Sequence, residues 1–96
     1  MSRRAKFKLR LYVAGDASNS VQAIANLGTF CRAHLPDSYE IEVVDVFREP
    51  KRALAEGIFM TPTLVVLTPP PVRRIVGTLS HTQTLLFALG LVAIAE

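Results

Sequence analysis

The residues of this chain that could do chemistry are few and widely spaced. Cys31 is the only cysteine, and His34 and His81 are the only histidines among the 96 residues. A metal site needs several His, Cys or carboxylate ligands at short spacings, and a nucleophilic site needs a thiol or hydroxyl beside a base. Asp45 ends a predicted strand, where it could belong to a functional site or simply orient the next loop. The sequence contains no phosphate-binding loop of the Gly-x-x-x-x-Gly-Lys type. We therefore predict a chain without catalytic residues, metal or cofactor.

Seven predicted elements position these residues, in the order strand-helix-strand-helix-strand-strand-helix. The strands cover about 6–14, 40–47, 63–67 and 73–76, and the helices cover about 18–35, 50–56 and 80–95. Ser18, Asn19 or Ser20 should cap the first helix and Ser80 the last. The first two strands should be parallel, joined by a right-handed crossover, and the last two should form an antiparallel hairpin. This α/β order is that of a thioredoxin-like fold (βαβαββα), in a single domain over residues 1–96.

The first helix is where thioredoxins keep their chemistry. They place a Cys-x-x-Cys or Cys-x-x-Ser motif at its start, because the helix N-terminus lowers the thiol pKa there. This chain reads GDASNS over 15–20, and Cys31 lies about three turns further on. It belongs to a predicted apolar stripe of Val21, Ile24, Leu27, Cys31 and Leu35. We expect Cys31 to be a buried apolar side chain and the scaffold to lack thiol chemistry.

Basic residues alternate with apolar ones at the start of the chain, whose net charge is +3. The basic positions are Arg4, Lys6, Lys8 and Arg10. Glu40 and Glu42 alternate in the same way in the second strand, so cross-strand ion pairs would explain the basic stripe. A basic docking face for a protein is the alternative interpretation. We do not expect nucleic acid as a partner.

The run from Leu85 to Ala95 is apolar and uncharged, but its eleven residues are too few to cross a bilayer. We expect no transmembrane segment and no signal peptide, and the single cysteine suits a reducing, cytoplasmic compartment. A helix this apolar must be buried within the fold or against another subunit. The run therefore favours a homo-oligomer, either a dimer or a tetramer.

Several motifs together identify the chain as similar to a known family. They are Leu11-Tyr12-Val13-Ala14-Gly15, Asn19-Ser20-Val21, Val44-Asp45-Val46 with Pro50, Thr61-Pro62-Thr63-Leu64, and the block from Pro69 to Gly77 (PPPVRRIVG) with Leu79-Ser80. The sequence resembles the KaiB family of circadian clock proteins from about residue 9 to residue 90. The resemblance implies a non-enzymatic regulator that binds the KaiC ATPase ring and modulates its phosphorylation. Further implied partners are KaiA and clock-output histidine kinases.

The resemblance also implies two folds for one sequence. In KaiB proteins the thioredoxin-like monomer binds KaiC, and an alternative ground state, usually a tetramer, rearranges the C-terminal half. The positions here with a predicted role in such a switch are Pro62, Pro69, Pro70, Pro71, Gly77, Ala88 and Gly90. We hypothesise that isomerisation at one or more of the prolines gates the conversion.

The docking residues that the resemblance implies follow the second strand and the proline run. They are Phe47, Arg48, Pro50, Lys51, Arg52, Arg73 and Arg74. Beside the rigid prolines, the last two guanidinium groups could be presented to carboxylates, whereas Glu56 is interpreted as a solvated helix residue. Glu40 and Glu42 mark the second strand as an exposed edge to which a partner could add contacts.

Some positions depart from the family pattern. Gln22 stands where cyanobacterial members tend to carry arginine, and Gly57 stands where lysine is common. These departures, with the missing acidic C-terminal tail, indicate a system without KaiA. The alternative function is a thioredoxin-like sensor or adaptor that partners a histidine kinase or a stress-response KaiC homologue.

Overall fold

The computed structural model describes residues 6–35 and 38–91 and confirms the predicted order of elements. The strands are β1 (Phe7–Val13), β2 (Tyr39–Asp45), β3 (Thr63–Thr68) and β4 (Arg73–Val76). The helices are α1 (Ser18–His34), α2 (Pro50–Ala55) and α3 (Thr82–Ala88). The predicted residues 92–95 of the last helix lie outside the described residues. None of the described helices is long and apolar enough to cross a membrane.

The four strands form one mixed sheet in the order β2-β1-β3-β4. β1 pairs with β2 in parallel and with β3 antiparallel, and β3 pairs antiparallel with β4. The βαβ crossover and the hairpin therefore follow the prediction, and β2 is an edge strand as expected. Three peptide bonds are cis: Thr61-Pro62, Thr68-Pro69 and Pro70-Pro71. The first lies just before β3, and the other two lie at the connection between β3 and β4.

The core has two layers because successive strand residues point to opposite faces of the sheet. The larger layer lies between the sheet and helices α1 and α3, and it includes Leu9, Leu11, Leu27, Leu64 and Leu85. The smaller layer lies on the α2 side, and it consists of Tyr12, Val44, Ala53, Ile58 and Val65. Helix α2 thus contributes a single buried residue of its own, Ala53, to the fold.

The predicted apolar stripe of α1 is partly wrong. Val21 and Ile24 are exposed (51% and 42%), whereas Ser20, Ala23, Leu27, Phe30 and Cys31 are buried. The buried face of the helix thus combines the large Leu27 and Phe30 with the smaller Ser20, Ala23 and Cys31. The predicted caps are also wrong, since Ala17 precedes the helix without a side-chain cap bond, and Ser20 Oγ instead accepts a hydrogen bond from Ala14 N at 3.0 Å.

Helix α3 is shorter than predicted because Gly90 ends it. Gly90 has φ +71, and Gly90 N and Leu91 N donate to Phe87 O and Leu86 O, which is the Schellman pattern. His81, not Ser80, precedes the first helical residue. Gly57 ends α2 in the same way, with φ +69 and hydrogen bonds from Gly57 N and Ile58 N to Leu54 O and Ala53 O.

The second strand has one fully buried residue, Val44, which belongs to the smaller core layer. On the α1 face, Tyr39 and Ile41 are partly buried against the larger layer, whereas Val43 is exposed. The reason is that β2 is the outer strand and α1 leaves part of it uncovered.

Candidate functional site

The loops at the carboxyl ends of β1 and β2 are joined by Asp45. Its Oδ1 atom accepts hydrogen bonds from Gly15 N at 3.1 Å and from Phe47 N at 2.9 Å. Gly15 has φ +54, and a Cβ atom built on it would lie 3.4 Å from Phe47 Cδ2. Asp45 therefore orients both loops, and a side chain at position 15 would contact the ring of Phe47.

Cys31 is fully buried in the larger core layer, which confirms the prediction of an apolar role. Burial raises the pKa of its thiol to about 11, with a small opposing effect of Arg32. His34 stacks on Phe30 with ring centroids 4.7 Å apart. Within residues 6–35 and 38–91, no three His, Cys, Asp or Glu side chains are grouped so that they could hold a metal ion.

Helix α2 presents an exposed apolar and basic surface. Phe47, just before the helix, and Leu54, on it, are 74% and 71% exposed. Arg48, in the turn before the helix, and Lys51 are also exposed, and Lys51 and Leu54 are neighbours on the helix surface because they lie three residues apart. We call these four residues the α2 face. Pro50, also a predicted docking residue, occupies the first turn of the helix, where its missing N–H leaves no bond unmade.

The opposite side of α2 is joined to the sheet by alternating charges, which we call the charge chain. Its members are, in spatial order, Glu49, Arg52, Glu42, Arg10, Glu56 and Arg74. Arg52 Nη1 lies 3.2 Å from Glu49 Oε1 and 2.9 Å from Glu42 Oε2. Arg10 Nε lies 2.8 Å from Glu42 Oε1, so the predicted cross-strand ion pair is confirmed for this residue. Hydrogen bonds from Arg52 and Arg10 lower the pKa of Glu42 to about 2.

The far end of the charge chain reaches β4 through Glu56. Its carboxylate lies 3.5 Å from Arg10 Nη1 and 3.5 Å from Arg74 Nη2. Arg74 also donates to Gly57 O at 3.1 Å and to Glu56 O. The interpretation of Glu56 as a merely solvated residue is therefore wrong, because it links α2 to two strands. Arg73, the other arginine of the pair, donates to Phe87 O at 3.5 Å.

A second exposed surface lies at the β2 edge. A groove of about 400 Å³ runs between α1 and β2, lined by apolar residues that include Ile24, Ile41 and Val43. Glu40 is exposed on the other face of the same strand, beside Lys8 in the strand register. The structure thus places Glu40 at the edge and draws Glu42 into the charge chain.

The sequence of residues 10–91 matches the family model described as the KaiB domain. The chain belongs to the KaiB family. It is 45% identical over 84 residues to the circadian clock protein KaiB3 of Synechocystis sp., covering 88% of this chain and 82% of that protein. It is also 42% identical over 91 residues to the circadian clock oscillator protein KaiB of Prochlorococcus marinus, covering 95% and 76%.

Solved structures confirm the thioredoxin-like fold of this KaiB chain. The N-terminal domain of Synechococcus elongatus SasA matches with a TM-score of 0.71 and 19% identity, covering 88% of this chain and 80% of that domain. Mitochondrial thioredoxin 3 of Saccharomyces cerevisiae matches with a TM-score of 0.71 and 15% identity, covering 90% and 78%.

Three exposed apolar residues were missed by reasoning from the sequence. Leu54, Phe59 and Met60 lie between the two prolines Pro50 and Pro62, and Phe59 is 88% exposed. A helical projection of 50–56 does not single out Leu54, because Ala53 and Ala55 are equally small and only Ala53 faces the sheet. No pattern in the sequence distinguishes Phe59 from the buried Ile58 beside it.

Proposed function

We propose that this chain is a non-enzymatic clock or timer regulator that binds a KaiC-like ATPase ring through the α2 face. The observation that supports this most directly is the exposure of Phe47 and Leu54 beside Arg48 and Lys51. Large apolar side chains grouped at the surface are typical of protein-binding sites. Membership of a family whose curated members are named as clock proteins gives the biological setting.

The α2 face fits a partner surface that combines an apolar pocket with carboxylates. Aromatic and aliphatic side chains would supply most of the affinity by becoming buried. Arg48 and Lys51 would steer association and fix the orientation, since exposed charges act mainly on the association rate. Modulation of the phosphorylation of the ring would follow from this binding.

The proposal includes a rare binding-competent form. The thioredoxin-like fold would be the form that binds, and a rearranged homo-oligomer, dimer or tetramer, would be the ground state that covers exposed apolar residues such as Phe87 and Leu91. Association with the ring would then be slow, because the fold must change first. Localisation in the cytoplasm belongs to the same proposal.

The test is binding to the KaiC-like ring of the same organism in the presence of ATP, followed over time. Phe47→Ala and Leu54→Ala should each weaken binding at least tenfold, the usual size for a central apolar contact. Val21→Ala is the matched control, because Val21 is a similarly exposed apolar residue on α1. Hours-scale association from an oligomer supports the full proposal, whereas no binding at all contradicts it.

A second candidate function is a sensor or adaptor domain for a histidine kinase or for a stress-response KaiC homologue without KaiA. This function would use the thioredoxin-like fold described above as its ground state. Such a protein would be a monomer and would bind its partner without a lag. The time course of binding to the ring therefore separates the two candidates. The β2 edge with Glu40 would offer a further partner a strand to which it could add contacts.

A further inference from the structure

We propose that the charge chain is a positioning device for α2, and that Arg52 and Arg74 act on partner binding through it rather than by touching the partner. The inference rests on the proposed function, because it concerns how the α2 face is presented. It reassigns two residues for which partner contact was predicted from the family resemblance.

Helix α2 needs such a device because its own packing is slight. It has six residues, of which only Ala53 is buried. Isolated helices shorter than about 12 residues are marginal in water, so contacts outside the helix must hold it. Ile58, buried just after the helix, adds one apolar anchor at its end. Two apolar anchors, Ala53 and Ile58, leave the direction of the helix axis poorly fixed.

The charge chain supplies contacts at both ends of the helix. Towards the N-terminus, Arg52 bridges Glu49 and Glu42, which fixes this end to β2. At the C-terminus, Glu56 contacts Arg10 of β1, and Arg74 of β4 donates to two carbonyl groups of the terminating turn. A cation is favourable at this end because the carbonyl groups there carry the negative end of the helix dipole. Attachments to three strands therefore define the orientation of the α2 face.

The sidedness of the helix separates positioning residues from docking residues. Lys51 and Leu54 lie three residues apart on the exposed side of the helix, and Arg48 is exposed in the turn that precedes the helix. Arg52 is turned to the sheet, where a single Nη1 atom contacts two carboxylates. A partner carboxylate that approached the same Nη1 atom would compete with Glu42 and Glu49. The geometry therefore assigns contacts with the partner to Arg48 and Lys51.

A double-mutant cycle tests this assignment. Glu42→Gln, Arg52→Gln and the double variant are compared with the wild type for binding to the KaiC-like ring. If Arg52 acts through Glu42, each single change should weaken binding by a similar factor, about 3- to 10-fold, and the double variant should be no weaker. Lys51→Gln is the matched control. When it is combined with Arg52→Gln, the factor by which affinity falls should be the product of the two single factors. The proposal is overturned if Arg52→Gln weakens binding to the ring while Glu42→Gln binds normally. It is also overturned if the factor by which the double variant loses affinity equals the product of the two single factors.

Amide exchange in the free protein gives a readout that does not depend on the partner. Glu42→Gln and Arg52→Gln should both speed exchange at Gly57 and Ile58, whose amides close the turn after α2, by about 3- to 10-fold. Lys51→Gln should leave these rates unchanged. Unchanged exchange in all three variants overturns the positioning role even if binding is altered. If the wild type does not bind the ring, the proposed function fails, and the exchange result still decides whether the charge chain holds α2.

Discussion

Arg73 and Arg74, adjacent residues of β4, donate hydrogen bonds to the C-terminal turns of two helices that lie on opposite faces of the sheet. Arg73 Nη1 lies 3.5 Å from Phe87 O of α3, and Arg74 Nη1 lies 3.1 Å from Gly57 O after α2. The alternation of side chains along a strand makes this arrangement possible. A short edge strand thus interacts with both layers of the domain, and the arginine pair has a structural role in this fold besides any role in binding.

The two arginines should contribute unequally to stability. Arg74→Gln should lower the free energy of unfolding by about 1 kcal/mol, because Arg74 makes several charge-assisted bonds to α2. Arg73→Gln, which removes one long bond from an exposed side chain, should cost less than about 0.5 kcal/mol. Urea unfolding followed by circular dichroism measures both. Equal losses would contradict the view that Arg74 is a main anchor of α2.

Burial of Cys31 should make stability depend on alkaline pH. The thiol has an ordinary pKa near 9 and a folded-state pKa of about 11. Because the folded state holds the proton more tightly, the stabilisation is complete below pH 9 and is lost as the pH rises towards 11. The loss should reach about 2–3 kcal/mol relative to Cys31→Ala, which cannot titrate at this position. Parallel pH profiles of unfolding for the two proteins would contradict this prediction.

The sheet was predictable from the sequence because its signals are local. The alternation over 6–14 and 40–47 defines two strands, and a helix between them requires a parallel pair. The orientation of α1 was not predictable, since hydrophobicity favours Val21 and Ile24 over Ala23, whereas close packing requires the smaller residue. The end of α3 at Gly90 was also missed, because the apolar run continues beyond it.

The charge chain was only partly predictable. The pairing of Arg10 with Glu42 follows from two neighbouring strands with opposite charges, and it was expected. The links through Arg52, Glu56 and Arg74 join elements that are far apart in sequence, and they depend on where α2 lies over the sheet. A short helix with one buried residue carries no pattern that fixes this placement.

Two glycine-to-alanine changes should have opposite effects. Gly77 has φ +121, a conformation that side chains rarely adopt, and its N–H donates to Pro62 O at 2.9 Å. Gly77→Ala should therefore destabilise this fold by about 1–3 kcal/mol. Gly28 lies inside α1, where alanine is favoured by about 1 kcal/mol, and its new Cβ would meet only the flexible end of Arg32. Thermal unfolding should show a lower midpoint for Gly77→Ala and a higher midpoint for Gly28→Ala than for the wild type. A higher midpoint for Gly77→Ala would show that the stability of the fold does not depend on this turn.

The charge chain should produce a small acid transition. The pKa of Glu42 is lowered to about 2 by its bonds to Arg52 and Arg10. Its stabilisation is therefore present above about pH 4.5 and is lost as the pH falls towards 2. Because the side chain is 46% exposed, the effect should stay below about 1 kcal/mol. Glu42→Gln should reduce the pH dependence of the free energy of unfolding between pH 4.5 and 2 more than Glu40→Gln does on the same strand. Equal pH dependence in the two variants would contradict the prediction.

Asp45 should control the presentation of Phe47. Its carboxylate holds the amides of Gly15 and Phe47, so Asp45→Ala leaves two backbone donors, of which that of Gly15 is part-buried, without this acceptor. The free energy of unfolding should fall by about 1–3 kcal/mol. Asp45→Asn should lose less, because the amide oxygen can still accept hydrogen bonds. If Phe47 belongs to the docking face, Asp45→Ala should also weaken binding to the KaiC-like ring, because the loop that presents Phe47 is no longer held. Asp45→Asn should restore most of that binding. A direct contact of the carboxylate with the ring would instead leave Asp45→Asn as defective as Asp45→Ala, so the pair of variants separates orientation of the loop from recognition of the partner.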